Sequence, residues 1–371
     1  MSVSHTPGRD WVKELAPLLA SFDTTCTLIE AAPYGNGHIN ETYVLVGDGN
    51  GRGRRRYVAQ KINHRIFKNV PALMDNVSRV TTHLKKSSPR ALTLIPTRQG
   101  AAVLQDAAGD WWRLYDFIEG AHTVDQATRE EQACETARAF GQFQAQLADL
   151  PGGRLHETIL NFHHTRDRFE KLRAALAADV KGRAAEVRDE LAFAFAREAD
   201  TDVLVGFLAR GEVKERVTHN DTKINNVMLD DVTGRGVAVI DLDTVMPGLA
   251  LYDFGEMVRT STSSTAEDDP EPSRMHVRLP LFRQIVKGYL ETAGGVLNAT
   301  ERAHLGFAGK MMAYENGIRF LTDYLQGDVY FRIKHPQHNL VRCRTQFALV
   351  RSIEAERDAM ARIVTEIYGS S

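Results

Sequence analysis

His219, Asn220 and Asp221, followed by Asn226, place an imidazole, a carboxylate and a carboxamide at the spacing H-x-D-x-x-x-x-N. Phosphoryl transfer from ATP asks for such a set: a carboxylate beside the acceptor hydroxyl, oxygen ligands for the metal on the triphosphate, and a cation for the α and β phosphates. Asp221 is the expected base and Asn226 an expected Mg2+ ligand. The runs VMLDD and VAVID that follow read as two strands joined by VTGRG, which would return Asp241 to the end of the sheet that holds the catalytic loop. Asp241 is therefore the expected second Mg2+ ligand. An Asn- and Asp-rich surface turn is the commoner use of such residues. That alternative requires the motif, the hairpin and the strand-terminal Asp to coincide by accident.

Three further features bear on the same chemistry. Tyr252-Asp253-Phe254-Gly255 contains the letters DFG, which mark the metal-binding Asp of protein kinases. Its position argues against that role, because the hairpin closes at Asp241 and Asp253 comes after a Pro247-Gly248 turn, at the start of an apolar helical run. Asp253 is read as a brace for the catalytic loop, and Asp243 as either a second-metal ligand or a turn cap. In the N-terminal part, Gly35-Asn36-Gly37 between two strands offers backbone N–H groups to phosphates, or is a plain hairpin turn. Lys61 in VAQK, on the third strand, is the candidate phosphate cation. Its acidic partner is expected on the next helix, where Asp75 is the only choice. The backbone of Tyr115, Phe117 and Ile118 is placed to meet an adenine edge, although plain core packing would explain the same aromatic cluster. The run Arg52 to Arg56 reads as a solvated hairpin tip.

The elements that must hold these residues follow from periodicity. TCTLIEA, INETYVLV, RRYVAQKIN, AAVLQD and WWRLYDFI read as five strands of an antiparallel sheet. One helix, PALMDNVSRVTTHL, follows the third strand with Leu73, Val77, Val80 and Leu84 on one face. Beyond Glu119-Gly120 the period becomes helical, over 125–150, 165–207, 276–293, 300–326 and 340–367, with the catalytic β-hairpin planted among the helices. Residues 260–275, polar and acidic, read as an exposed loop. The fold class expected is α+β, a bilobal protein-kinase-like chain with lobes 1–119 and 120–371.

Composition narrows the partners. The 46 Lys and Arg nearly balance the 48 Asp and Glu, so no basic field exists for nucleic acid or an anionic membrane. The expected partners are ATP and a small-molecule substrate. Cys26, Cys134 and Cys343 are scattered and odd in number, which fits neither a disulfide framework nor a zinc site. A polar N-terminus and no run of eighteen apolar residues predict a cytoplasmic protein. Oligomeric state is not readable.

The segment VTHNDTKINNVMLDD…VAVIDLDTVMPGLALYDFGEMVR, together with YGNGHINETYVL, YVAQKINHRIFKNVPALM, WRLYDFIEG and ENGIRFLTDYLQGDVYFRI, resembles the aminoglycoside phosphotransferase, or choline kinase-like, superfamily. Within it the resemblance is to N-acetylhexosamine 1-kinases. It implies an ATP- and Mg2+-dependent enzyme that phosphorylates the anomeric hydroxyl of N-acetylglucosamine or N-acetylgalactosamine. By the same resemblance Asp221 is the base, Asn226 and Asp241 are metal ligands, and His38, Arg319 and Tyr330 contact the sugar. Relatives often carry Arg where this chain has Lys61. Kinases of aminoglycosides, choline, homoserine and methylthioribose share the fold and the loop. A cationic acceptor would call for carboxylates, for which Glu267, Asp268, Asp269 and Glu271 are candidates. A non-catalytic pseudokinase would tolerate loss of Asp221, Asn226 or Asp241, and all three are present. No A-P-E segment follows Asp241 to shape a peptide-binding loop, which disfavours a protein kinase.

Overall fold

The computed structural model describes residues 9–35, 39–49, 51 and 53–369. Contacts divide the chain into two units: Met1–Ala121 with Asp149–Ile159 and Ile240–Val245, and His122–Ala148 with Leu160–Val239 and Met246–Ser371.

The first unit is built on a six-stranded antiparallel sheet of β1 (Thr27–Pro33), β2 (Glu41–Asp48), β3 (Arg54–Ile62), β4 (Leu94–Ile95), β5 (Leu104–Gln105) and β6 (Trp111–Asp116). Its order is β1-β2-β3-β6-β4, with β5 also pairing β6. All five expected strands occur, and β4 is an addition too short to show a period. One face packs on α1 (Trp11–Ser21), where Leu15, Leu18 and Leu19 meet Tyr43, Leu45, Tyr57, Ala59, Trp112 and Leu114. Sequence reading assigned no element to this helix, which follows the polar N-terminus; it tolerates Pro17 in its interior and is capped by Asp10, which accepts the Lys13 amide at 3.0 Å. α2 (Val70–Leu84) follows β3 as expected, capped by Asn69 and with Leu73, Val77, Val80 and Leu84 buried. A two-residue strand, β7 (Ala121–His122), closes this stretch of sequence.

The second unit is mainly helical: α3 (Glu130–Gln146), α4 (Thr165–Ala178), α5 (Arg188–Phe195), α6 (Val203–Ala209), then, after four short strands, α7 (Ala250–Ser261), α8 (Leu279–Ala293), α9 (Ala299–Ala303), α10 (Leu305–Gln326), α11 (His338–Ala355) and α12 (Arg357–Gly369). The strands are β8 (Arg216–Thr218), β9 (Val227–Asp230) and β10 (Gly236–Val239), joined later by β11 (Met246–Gly248). β9 and β10 form the expected hairpin, and Asp230 Oδ1 accepts the amides of Val232 and Thr233 to fix its turn. Pro247 and Gly248 differ from the expected turn: they sit in β11, opposite Val217 and Arg216 of β8. An edge position accommodates a residue with no N–H to donate. A Cβ on Gly255 of α7 would strike the Ala308 carbonyl of α10, so the glycine sets how closely these helices approach.

The acidic segment at 260–275 is not the exposed loop expected. Asp269 is buried and paired with Arg274, Glu267 meets Arg259 at 2.7 Å, and Asp268 meets Lys334 at 2.7 Å. Hydrogen bonds from Lys334 and His338 bring the Asp268 carboxyl down to about 2, against the upward push of burial. Among the described residues no helix is long and apolar enough to cross a membrane.

Candidate active site

The loop expected to be catalytic, residues 219–226, belongs to the second unit. After β8 the chain buries His219 edge-on against Phe140 and Phe143, with ring centroids 5.2 and 5.8 Å away. His219 Nδ1 accepts the Asp221 amide at 3.3 Å. Between them Asn220 adopts φ 63°, the left-handed region, which costs a non-glycine residue about 1–2 kcal/mol. Asp253 supplies the compensation. Its Oδ1 accepts the Asn220 amide at 2.7 Å, its Oδ2 the His219 amide at 3.0 Å, and its carbonyl the Thr222 hydroxyl at 2.6 Å. Burial pushes the Asp253 carboxyl up to about 7, against the pull of those two amides. Both oxygens thus accept from loop backbone, which is the arrangement of a brace.

Asp221 is about a quarter exposed, at 26%, and Lys223 Nζ lies 2.7 Å from its Oδ1. Burial pushes the carboxyl up, but Lys223 outweighs it and holds Asp221 below the ordinary carboxylate value. The same contact, with help from Glu256, holds Lys223 above the ordinary lysine value despite burial. Asp221 is therefore an ionised acceptor beside a cation: a weak base suited to orienting a hydroxyl rather than stripping it early. Asn226 closes a 3-10 turn and donates Nδ2 to the Asp221 carbonyl at 2.8 Å. That bond leaves Oδ1, the atom a cation would take, without a hydrogen bond among the described residues.

Asp241 and Asp243 cluster with the first unit. Asp241 has φ 59° and opens a 3-10 turn, Leu242–Thr244, held by fully buried Leu242 and Val245. Asp243 is 3% exposed; its Oδ2 accepts Asn40 Nδ2 at 2.6 Å and its Oδ1 a short bond from Arg113 Nη1. Arg113, 1% exposed, also donates Nε to Gln60 Oε1 at 2.9 Å, and Gln60 Nε2 donates to Thr42 at 3.1 Å. Burial works against the guanidinium charge, yet Asp243 holds the Arg113 pKa above its ordinary value, with a contribution from Asp241. Asp243 is therefore a buried carboxylate held by Arg113 on one oxygen and Asn40 on the other.

Thr42, Gln60 and Arg113 oppose one another across β2, β3 and β6 and share one face of the sheet. Lys61 does not join them. It lies one residue on, in the row Glu41, Lys61, Trp112, and alternation turns that row toward the face that packs α1. Its Nζ sits 2.6 Å from Asp110 Oδ2, which holds its pKa up. Asp75, the partner expected on α2, instead faces His156 at 3.3 Å and Arg79 at 3.6 Å. Lys61 is thus corrected from phosphate ligand to surface ion pair, and the cation on the Asp243 face is Arg113.

Gly35 has φ 77° and follows Tyr34, whose ring meets Phe117 edge-on at 5.9 Å. Gly35 and the end of β6 are thereby neighbours. Asn36, Gly37 and His38 lie outside the described residues, as does Arg52. Tyr115 is buried on the Arg113 side; the Phe117 amide is taken by the Arg56 carbonyl at 3.2 Å; Ile118 follows the strand end, half-buried. Arg54, Arg55 and Arg56 are exposed but pair with Glu30, Asp116 and Glu119.

Arg319 and Tyr330 come together in the second unit. Arg319 lies 5.5 Å over Phe331, and Tyr330 meets that ring at 4.7 Å. Asp323 holds the segment by accepting the amides of Val329, Tyr330 and Phe331 at 2.8–3.0 Å. Tyr330 is 65% exposed. Sequence reasoning missed Arg113, Lys223 and His163. The first two had signals: a lone charge inside an aromatic strand, and a cation within the motif itself.

Mg2+ prefers oxygen ligands and keeps water and phosphate around one or two protein groups, so a free amide oxygen on Asn226 and a carboxylate at Asp241 are suitable donors. Among solved structures, the chain is similar to a microcompartment-associated aminopropanol kinase, at 16% identity over 94% of this chain and 98% of that one, with TM-score 0.57. It is similar to a spectinomycin phosphotransferase in complex with ADP and spectinomycin, at 12% identity over 96% and 98%, TM-score 0.55. It is also similar to a choline kinase from Streptococcus pneumoniae, at 12% identity over 92% and 97%, TM-score 0.52. At these identities the likeness establishes the kinase-like α+β fold. The APH model, described as the phosphotransferase enzyme family, matches residues 30–290, well over half of the chain, and the chain belongs to that family.

Proposed function

We propose that this phosphotransferase is an ATP- and Mg2+-dependent kinase of a small neutral sugar, transferring the γ-phosphoryl group to the anomeric hydroxyl of an N-acetylhexosamine. The observation that carries phosphoryl transfer is the catalytic loop: Asp221 ionised beside Lys223, on a loop whose preceding amides are held by Asp253, one short turn before Asn226. Asp221 accepts the acceptor hydroxyl's hydrogen bond, orients it toward the γ-phosphorus, and takes its proton as the new O–P bond forms and the bond from the γ-phosphorus to the bridging oxygen breaks, releasing ADP. Asn226 and Asp241 are the residues that would hold Mg2+, which when bound neutralises charge on the phosphates. The glycine turn at Gly35, Asn36 and Gly37 and the backbone of Tyr115, Phe117 and Ile118 would serve the nucleotide, and Lys61 has no place in that set. In this reading residues 1–119 carry nucleotide and 120–371 the loop and the sugar pocket, with Asp241 as the exception that clusters with the former.

The sugar rests on the resemblance of His38, Arg319 and Tyr330 to sugar contacts of N-acetylhexosamine 1-kinases. It is supported by the acid run at 267–271, whose first three carboxylates are occupied by Arg259, Lys334 and Arg274 and are poor candidates for holding a cationic acceptor. The test is turnover with ATP and Mg2+, followed by mass spectrometry, of N-acetylglucosamine and N-acetylgalactosamine against kanamycin, choline and 1-amino-2-propanol. Sugar 1-phosphate from the N-acetyl sugars is expected. Phosphorylation of an amine-bearing acceptor alone would overturn the sugar assignment and leave the kinase assignment standing.

A further inference from the structure

Three groups place His163 at the catalytic loop. Its Nε2 lies 2.9 Å from the Asn220 carbonyl, its Nδ1 lies 2.8 Å from Glu315 Oε1, and Glu315 Oε2 accepts the Thr165 hydroxyl at 2.7 Å. The His163 and Glu315 side chains are 4% and 0% exposed. A carbonyl only accepts, so the Asn220 bond requires a proton on Nε2, and a bond to an ionised Glu315 requires one on Nδ1 as well. Burial pushes Glu315 up, but His163 outweighs it and holds the carboxyl below its ordinary value. An ionised Glu315 against Nδ1 therefore keeps the ring oriented with Nε2–H toward Asn220, the job a carboxylate commonly does for a working imidazole.

The bond matters because of which peptide it touches. The Asn220 carbonyl and the Asp221 amide belong to one rigid peptide unit. His219 Nδ1 holds the amide side at 3.3 Å and His163 holds the carbonyl side at 2.9 Å. The unit follows a residue at φ 63° and would relax if released. Asp253 fixes the amides of His219 and Asn220, so it stops one peptide short of Asp221. We propose that His163 is a positioning residue for phosphoryl transfer: with Glu315 setting its orientation, it locks the 220–221 peptide and so the direction of the Asp221 carboxylate. This rests on Asp221 being the base. It also ties the loop to the acceptor side, because Glu315 lies one turn before Arg319 on α10, and Arg319 acts on its charge.

The test separates the two nitrogens. Gln at 163 carries an amide nitrogen near the place of Nε2 and keeps the Asn220 bond; Asn carries one near Nδ1 and keeps only the Glu315 side. His163→Gln and His163→Asn are each also made with Glu315→Gln, so that no buried carboxylate is stranded, and all are repeated in an Asp221→Asn background. Single-turnover phosphorylation and ATP affinity by calorimetry are measured on protein that shows native near-ultraviolet dichroism. His163→Asn should lose roughly 10²-fold in rate, the cost of about 1 Å of misplacement, with ATP affinity unchanged. His163→Gln should stay within about fivefold of wild type. In the Asp221→Asn background the gap between the two should close. Equal losses in Gln and Asn, or a gap that persists without Asp221, would overturn the positioning role. An Asp221→Asn enzyme as fast as wild type would instead overturn the assignment of the base.

Discussion

Replacing Asp243 by Leu leaves the guanidinium of Arg113 buried, at 1% exposure, without its counter-charge. Removing one partner of such a pair costs about 3–5 kcal/mol, because the orphaned ion has lost both water and partner. Against a domain stability of about 5–15 kcal/mol this is a large fraction. Replacing both, as Arg113→Met with Asp243→Leu, strands no charge. The remaining loss is the hydrogen bonds that Gln60 and Asn40 made to the pair, about 1 kcal/mol each. The double variant should therefore be about 1–2 kcal/mol less stable than wild type and clearly more stable than either single variant. The three tryptophans, Trp11, Trp111 and Trp112, all belong to the first unit, so urea unfolding followed by tryptophan fluorescence reports that unit alone. An unchanged m-value would show that the same surface unfolds in each variant. A double variant as unstable as Asp243→Leu refutes the pair as the source of the cost. A double variant that is stable yet inactive at every Mg2+ concentration returns Asp243 to the chemistry.

Asp241→Asn should abolish Mg2+-dependent turnover with folding intact, and near wild-type kcat would send the ligand assignment elsewhere. Asp221→Asn should lose roughly 10²–10⁴-fold in kcat while calorimetry finds ATP affinity unchanged. Lys223→Met removes the cation that depresses Asp221, so burial then raises that carboxyl. Because activity needs the ionised form, the acid limb of the kcat/KM profile should move to higher pH; a limb that stays put means another group sets it. Arg319→Ala and Tyr330→Phe should raise KM for the sugar far more than for ATP, and equal changes in both would indicate structural roles.

Much of the fold was legible because the relevant patterns are local. Four strands of the first unit, β1, β2, β3 and β6, run for six or more residues, long enough to show a period, and the α2 stripe of Leu73, Val77, Val80 and Leu84 is buried as its spacing requires. α1 was not, since Pro17 interrupts a short run behind polar residues. The loop at 260–275 misled for a different reason. Its acids look solvated in sequence, but Arg259, Lys334 and Arg274 come from α7, from the segment before α11, and from the loop itself, and only tertiary folding brings the first two to it.

The site divides along the same line between local and distant order. His219, Asp221 and Asn226 sit within one tight loop, and a motif can specify a loop because its contacts run between near neighbours: Asn226 to the Asp221 carbonyl, Lys223 to the Asp221 carboxylate. A strand position is different, since one residue of offset reverses the face. VAQK names a lysine on β3 correctly, yet the side chain that reaches the Asp243 face is its neighbour Gln60, acting through Arg113 of β6. Which of two adjacent residues points inward depends on whether the sheet packs α1 or α2 on that face, and this chain uses both. His163 lay further still from view: one of two adjacent histidines before α4, it carries no spacing signal. Its meaning comes from Glu315, over 150 residues on, and from a single backbone carbonyl that no side-chain pattern records. The chemistry-bearing groups of such a site are written as a motif, while the groups that aim them are chosen by packing, and packing is where substitutions should separate kcat from binding.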